Sequence, residues 1–268
     1  MLRIENRLAE LKSLGRKALI TFITAGDPDL AATPKLVAAL EKAGADIIEL
    51  GVPFSDPLAD GPTIQQASNR ALKAGASLKK ILETVAEIRK TSEIPLVLMT
   101  YYNPVLRYGV EKLVADAAAR GIDGLIVPDL PLEESGELRR LAAGRLAVIP
   151  LAAPTTGPER LAKIAAAGSG FLYYVSVTGI TGARNELPPE LAESLAAVRS
   201  RVTELPLAVG FGISTPEQAR TVAEHADAVI VGSALVNIIA RHGASVEGIS
   251  ALSAKVKELR RALDGESG

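Results

Sequence analysis

Apolar residues in this chain fall into short unbroken runs, separated by longer stretches in which they recur every three or four positions. Ile4, Leu8 and Leu11 recur at helical spacing among charges, which predicts an amphipathic helix at the start. The runs ALITFIT (Ala18–Thr24), IIEL (47–50), PLVLMTYY (95–102), GLIVPDLP (124–131), LAVIPLAAP (146–154), FLYYVSV (171–177), PLAVGFG (206–212) and AVIVGS (228–233) are continuous and rich in β-branched residues. They read as strands buried on both faces. Helical patterning fills the intervals at 30–43, 63–90, 134–143, Pro158–Ala167, 190–200, Pro216–Ala223 and Val246–Leu263. The last of these puts Val246, Ile249, Leu252, Val256, Leu259 and Leu263 on one side.

Strict alternation of buried strands and amphipathic helices implies a parallel sheet covered by helices. About eight near-even units predict closure into a (β/α)8 TIM barrel, with the extra N-terminal helix plugging one end. An internal echo supports repetition: EKAGADIIELG, AARGIDGLIVPD and AEHADAVIVGS each stop a helix and start a strand with Asp near its head. The length of 268 residues and 48% hydrophobic content suit one TIM-barrel domain over 1–268, since such a barrel takes about 250 residues. Ile47, Ile48, Leu125, Ile126, Val148, Val209, Ile230 and Val231 are then accounted for as barrel core. Function in such a barrel lives at the carboxyl ends of the strands, where Glu49, Asp129, Tyr173, Gly212 and Gly232 fall.

Composition narrows the chemistry. A net charge of -1 offers no global attraction to nucleic acid or an anionic membrane. No apolar run approaches the roughly 20 residues of a membrane span, and the N-terminus is too charged for a signal peptide, so a cytoplasmic location is expected. Zero cysteines exclude a thiol nucleophile, and His225 and His242 alone do not assemble a usual zinc site. Carboxylates, hydroxyls and backbone remain.

Two carboxylates stand out. Glu49 interrupts an apolar strand, where a charge is costly unless paired or neutralised, and a raised pKa suits a proton shuttle. Asp60 follows Gly51, Pro53 and Pro57 in a loop, where it should be wetter and ionised. Taken singly, Glu49 also reads as half of an ion pair and Asp60 as a turn residue. Together, two acids in contrasting settings are one route to acid and base chemistry at neutral pH. Gly212 after the seventh strand, and Gly232 with Ser233 at the start of a short helix after the eighth, form a candidate phosphate cradle of backbone amides. The glycine-bearing segment 179–189, with Thr181 and Gly182, reads as a lid.

The string ELGVPFSDPLADG at 49–61, with FITAGDPD, MTYYNP, VPDLPLEES, VSVTGITGAR and GFGIS in order around it, resembles the tryptophan synthase alpha subunit family over essentially the whole chain. The resemblance implies a TIM barrel that splits indole-3-glycerol phosphate into indole and glyceraldehyde 3-phosphate. It casts Glu49 as the main acid and base, Asp60 as the partner of the indole N–H, and Tyr173 as the tyrosine near the reacting side chain. Phe22, Met99 and Phe211 are similar to indole-pocket positions, Thr181 to the lid threonine, and Gly182, Gly212, Gly232 and Ser233 to the phosphate site. It further implies no cofactor in this chain and pairing with a pyridoxal phosphate beta subunit in an alpha2beta2 heterotetramer, with Pro53, Asp56, Pro57 and Asn103 as candidate contacts. A free-standing indole-3-glycerol phosphate lyase would share the same catalytic residues. A different sugar-phosphate barrel enzyme and a non-catalytic activating subunit fit the two acids less well.

Overall fold

The computed structural model describes residues 3–175, 191–210 and 212–266. Its strands are β1 (Ala18–Thr24), β2 (Ile47–Gly51), β3 (Leu96–Met99), β4 (Gly124–Ile126), β5 (Ala147–Val148), β6 (Leu151–Ala152), β7 (Leu172–Val175), β8 (Leu207–Gly210) and β9 (Ala228–Val231). All pairings are parallel, in the order β5-β4-β3-β2-β1-β9-β8-β7-β6. The two ends of that order, β5 and β6, are separated only by Ile149 and Pro150, and proline brings no N–H to a ladder. Hydrogen bonding nonetheless continues through the break, from Ile149 N to Leu125 O (2.9 Å) on one side and from Tyr173 N to Pro150 O (2.9 Å) on the other. β5 and β6 are therefore one rung, and the sheet closes into the eight-stranded TIM barrel that the alternation predicts.

Side chains alternate across the barrel wall. Ile20, Ile47, Val97, Ile126, Tyr173, Ala208 and Ile230 join an inner cluster, whereas Leu19, Ile48, Leu98, Leu125, Leu172, Val209 and Val229 pack outward under the helices. The helix Arg3–Ser13 adds Ile4, Leu8 and Leu11 to the inner cluster and so stoppers the amino-terminal end. Gly124 fits this arrangement, since a Cβ there would sit 3.0 Å from the Ile4 side chain.

Element boundaries depart from the periodicity in three places. The helical pattern at 63–90 is two helices, Pro62–Lys73 and Leu78–Ile88, because Gly75 turns with φ +82° and Ser77 caps the second. The run 95–102 stops being strand at Met99. Its Tyr102 instead opens the helix Tyr102–Tyr108, its N–H donated to Asp129 Oδ1 at 2.8 Å, and a further helix, Val110–Arg120, follows. Of the run 124–131 only three residues are strand, as prolines at 128 and 131 end the pairing.

The Asp at strand heads has a physical purpose. The side chains of Asp46, Asp123 and Asp227 accept the N–H of Leu19, Leu96 and Leu207 on the neighbouring strand, at 2.7, 2.8 and 2.7 Å. The backbone N–H of each Asp donates back to the carbonyl of that same residue at 2.8 Å. Ser169 makes the same reciprocal pair with Val148, at 2.8 and 3.1 Å. The rungs are thus clamped two by two at the amino-terminal rim, first to second, third to fourth, fifth to sixth and seventh to eighth. Arginines reinforce the clamps: Arg7 and Arg260 on Asp46 (2.7 and 3.0 Å), Arg3 and Arg89 on Asp123 (3.1 and 2.8 Å), and Arg199 on Asp227. Arg7 comes from the first helix and Arg260 from the last, so a single buried carboxylate holds both ends of the chain.

Removing Asp46 would leave the buried Leu19 N–H without its acceptor and take one of two carboxylates from the buried Arg260, which keeps Asp264. Asp46→Ala is expected to lower the unfolding free energy by about 1–3 kcal/mol in urea titrations. The exposed Glu10→Ala should change it by under about 0.5 kcal/mol. A loss at position 46 no larger than that at position 10 would contradict the clamp.

Candidate active site

Glu49 lies on the inner face of β2, two residues beyond Ile47 of the inner cluster and flanked by the outward-packed Ile48 and Leu50. Register sets it between Phe22 of β1 and Val97 of β3. It is 0% exposed, and neither carboxylate oxygen has a hydrogen-bond partner among the described residues. With no cation or donor to offset it, burial pushes the carboxyl up from 4.5 to about 8. Glu49 therefore carries its proton at neutral pH. Next to it, Gly51 leaves room for the Phe22 ring, to which a Cβ would approach within 2.4 Å. Gly210 does the same for the Tyr173 hydroxyl, at 2.7 Å.

Asp60 reaches the same end of the barrel from the loop after β2. Gly61 caps the helix Pro62–Lys73, with Pro62 at its first position. That helix is tied back to the loop after β1 by a two-pronged ion pair, Arg70 Nε and Nη2 to the carboxylate of buried Asp27, both at 2.8 Å. Asp60 is half-buried rather than the wetter residue its loop suggested. Desolvation raises its carboxyl above the ordinary value, and a hydrogen bond from Tyr101 offsets part of that rise.

Between these elements lies a concave chamber open to solvent. Its wall includes Phe22, Asp60, Met99, Tyr173, Gly212, Gly232 and Ser233, so seven of the anticipated residues share one chamber. Glu49 stands behind this wall. The buried Tyr173 connects the two acids: burial drives its phenol well above the ordinary value, and the charges of Glu49 and then Asp60 add to the rise. Thr181, Gly182, Phe211 and the lid segment 179–189 lie outside the described residues. Gly212 adopts φ +80°, a left-handed conformation that other residues rarely take. Ser214 N is occupied by Gln218 Oε1 at 2.8 Å, so the anion-attracting part of the cradle is the start of the helix Ser233–His242.

Three wall or support residues escaped the sequence reading. Ile230, assigned wholly to core, also lines the cavity, because the alternation that turns it inward places it near the carboxyl end of β9. Ile64 lines it from the first turn of the helix Pro62–Lys73. Tyr101 is buried beneath the Asp60 loop, and its hydroxyl accepts Ala59 N at 2.9 Å. Its place in MTYYNP was visible, but nothing in the spacing showed where the ring points. Among the described residues, no group of three or more His, Cys, Asp or Glu is arranged to hold a metal, and no helix is long and apolar enough to cross a membrane.

A closed barrel with a proton-bearing acid in its wall and an anion cradle after its last strands defines the class: a (β/α)8 enzyme acting on a small phosphorylated substrate. The sequence profile described as "Tryptophan synthase alpha chain" matches residues 8–264. The tryptophan synthase alpha chain of Geotalea daltonii is 57% identical over 235 residues, covering 87% of this chain and 89% of that protein. That of Geobacter sulfurreducens is 52% identical over 264 residues, covering 98% and 99%. Among solved structures, the alpha chain of Legionella pneumophila superimposes with a TM-score of 0.90 at 41% identity, covering 99% of this chain and 98% of that one. A chain of Mycobacterium tuberculosis tryptophan synthase gives 0.89 at 39% identity, covering 100% and 99%. The chain belongs to the tryptophan synthase alpha chain family.

The burial of Glu49 has a thermodynamic signature. Its folded-state pKa is raised above the unfolded value, so the stability that goes with the protonated form is complete below about pH 4.5 and is lost as pH rises to about 8. Glu49→Gln stays neutral and avoids this loss. At about pH 9 the variant should be more stable than the parent in urea unfolding by on the order of 4 kcal/mol, a gap that closes near pH 4. Parallel stability curves for the two proteins would show that Glu49 does not titrate in this way.

Proposed function

We propose that this chain cleaves indole-3-glycerol phosphate to indole and glyceraldehyde 3-phosphate in tryptophan biosynthesis, with Glu49 and Asp60 as its catalytic residues. The observation that carries the residue assignment is Glu49 itself: a fully buried acid with no partner among the described residues, holding its proton to about pH 8 on the inner face of the barrel. The bond between indole C3 and the glycerol side chain breaks only if the ring can receive its electron pair. Protonation at C3 creates that sink. Glu49, turned into the cavity, gives its proton to C3, and the ring becomes a cationic indolenine whose N–H donates to the Asp60 carboxylate. Opposite charges in a site screened from water attract strongly, and this attraction exists only after the proton has moved.

Glu49, now a carboxylate, takes the proton from the side-chain hydroxyl. That hydroxyl becomes the aldehyde, the carbon–carbon pair returns to the ring, and Glu49 ends protonated as it began. The phosphate sits at Gly212, Gly232 and Ser233, where the first-turn amides and dipole of the helix Ser233–His242 favour an anion. Phe22 and Met99, on the cavity wall, enclose the indole, and Tyr173 on the same wall stands near the reacting side chain. Thr181, Gly182 and Phe211 complete this reading as lid threonine, phosphate contact and indole wall, and one domain over 1–268 carries all of it.

The partner is the tryptophan synthase beta subunit, which holds the pyridoxal phosphate and receives the indole, in a cytoplasmic alpha2beta2 assembly. The carboxyl-terminal face offers Asp56, Asn103 and half-exposed Pro57 to it, with the exposed apolar Leu58 and Leu106 beside them. Pro53 is buried and serves that face by stiffening the loop.

Because the chain has no Trp, indole release is followed by fluorescence over a low background. With the isolated chain, Glu49→Gln should cut turnover at least about a hundredfold, and the parent kcat/KM should fall above about pH 8 as Glu49 loses its proton. Near-parental turnover in the variant would remove Glu49 from the mechanism. In size-exclusion with the beta subunit at micromolar concentration, the parent should comigrate, and Asp56→Ala combined with Leu58→Ala should weaken that comigration. An unaffected complex would move the interface elsewhere.

A further inference from the structure

The loop that carries Asp60 leaves β2 at Gly51 and re-enters regular structure at Pro62, and Ser55, Asp56, Leu58 and Ala59 on it are exposed. Among the described residues its hydrogen-bonded ties to the barrel are few. Val52 N donates to Met99 O at 2.8 Å near the base, and Ala59 N donates to the Tyr101 hydroxyl at 2.9 Å beside the acid. Gln65 also holds Asp60 O at 2.8 Å, but from the helix that the loop itself enters. Tyr101, by contrast, stands on fixed ground. Thr100 N continues the ladder to Ile126 O at 2.9 Å, Tyr102 N is capped by Asp129, and Tyr101 is 4% exposed. Its ring packs against Phe54 at 5.4 Å between centroids.

We propose that Tyr101 is a positioning residue of the reaction: its hydroxyl accepts the Ala59 amide, donates to the Asp60 carboxylate, and so holds that carboxylate against the substrate. A phenol that already accepts a backbone N–H turns its own hydrogen toward another acceptor, and the Asp60 carboxylate supplies one. This inference rests on the reading of Asp60 as acceptor of the ring N–H, and it adds a way in which Asp60 is kept both in place and charged. Donation to a carboxylate favours its ionised form, which opposes the desolvation that Asp60 suffers. The titratable groups around the pair are Asp129, whose charge acts on Tyr101, and Tyr173, which senses both Asp60 and Glu49. Asp129 brings no donor when ionised, and Tyr173 acts on Asp60 through charge rather than through a hydrogen bond, so neither already fills the place of the Tyr101 hydroxyl.

The test is the pH profile of kcat/KM for indole-3-glycerol phosphate cleavage by the full chain as parent, Y101F, D60N and the double variant, with circular dichroism to verify folding. Y101F keeps the ring and its contact with Phe54. Its acid limb should move to higher pH by at least about half a unit, the limb near pH 8 that belongs to Glu49 should stay, and kcat/KM should fall about three- to tenfold. In the D60N background, where no carboxylate remains to be held, Y101F should change neither limb. An acid limb in Y101F that coincides with the parent's, or a Y101F effect that persists at full size in D60N, overturns the proposal. Parental turnover in D60N alone would instead overturn the role of Asp60 on which it rests.

Discussion

An acid buried in a barrel wall, with no partner among the described residues, is the constraint from which the rest follows. Glu49 has neither cation nor hydrogen-bond donor at its carboxylate among the described residues, and its neighbours in register are Phe22 and Val97. Such a group folds only as the neutral acid, and the protein must tolerate a site that weakens it as pH rises. That cost is the chemistry: a carboxyl that holds its proton at neutral pH can give it to carbon and then, as a desolvated anion, reclaim one from a hydroxyl.

The scaffold around Glu49 keeps this strained choice local. The amino-terminal rim is fastened by reciprocal pairs at Asp46, Asp123, Ser169 and Asp227, with arginines from the first and last helices on Asp46. The carboxyl-terminal rim carries the exposed loops, the glycines and the cavity. At the first rim buried carboxylates are paired with arginines, whereas near the second Glu49 has no partner among the described residues and stays neutral, a division that matches stability at the bottom of a barrel and function at its top.

Much of this was legible in the chain. Unbroken apolar runs gave the strands, and the parity of Ile47, Glu49 and Gly51 against Ile48 and Leu50 gives the wall its two faces. The acids and Gly212, Gly232 and Ser233 carried a signal because loop and strand chemistry differ at short range. What stayed hidden depends on contacts far apart in sequence. Arg260 meets Asp46 across 214 positions, and no spacing rule links them. Tyr101 was visible as a residue, yet its hydroxyl reaches Ala59 only because a strand end and a loop cross in space. Pro150 split one rung in two, because a proline interrupts the ladder without interrupting the barrel. Asp60 looked like a solvated loop residue, whereas the cavity wall takes water from it.

The most direct measurement is the titration of Glu49 itself, by isotope-edited infrared spectroscopy of glutamate-labelled protein with Glu49→Gln subtracted. The account predicts a protonated carboxyl band that persists through neutral pH and disappears with a midpoint of about 8. A carboxylate band already complete by about pH 6, the behaviour of an ordinary glutamate with a pKa near 4.3, would contradict it.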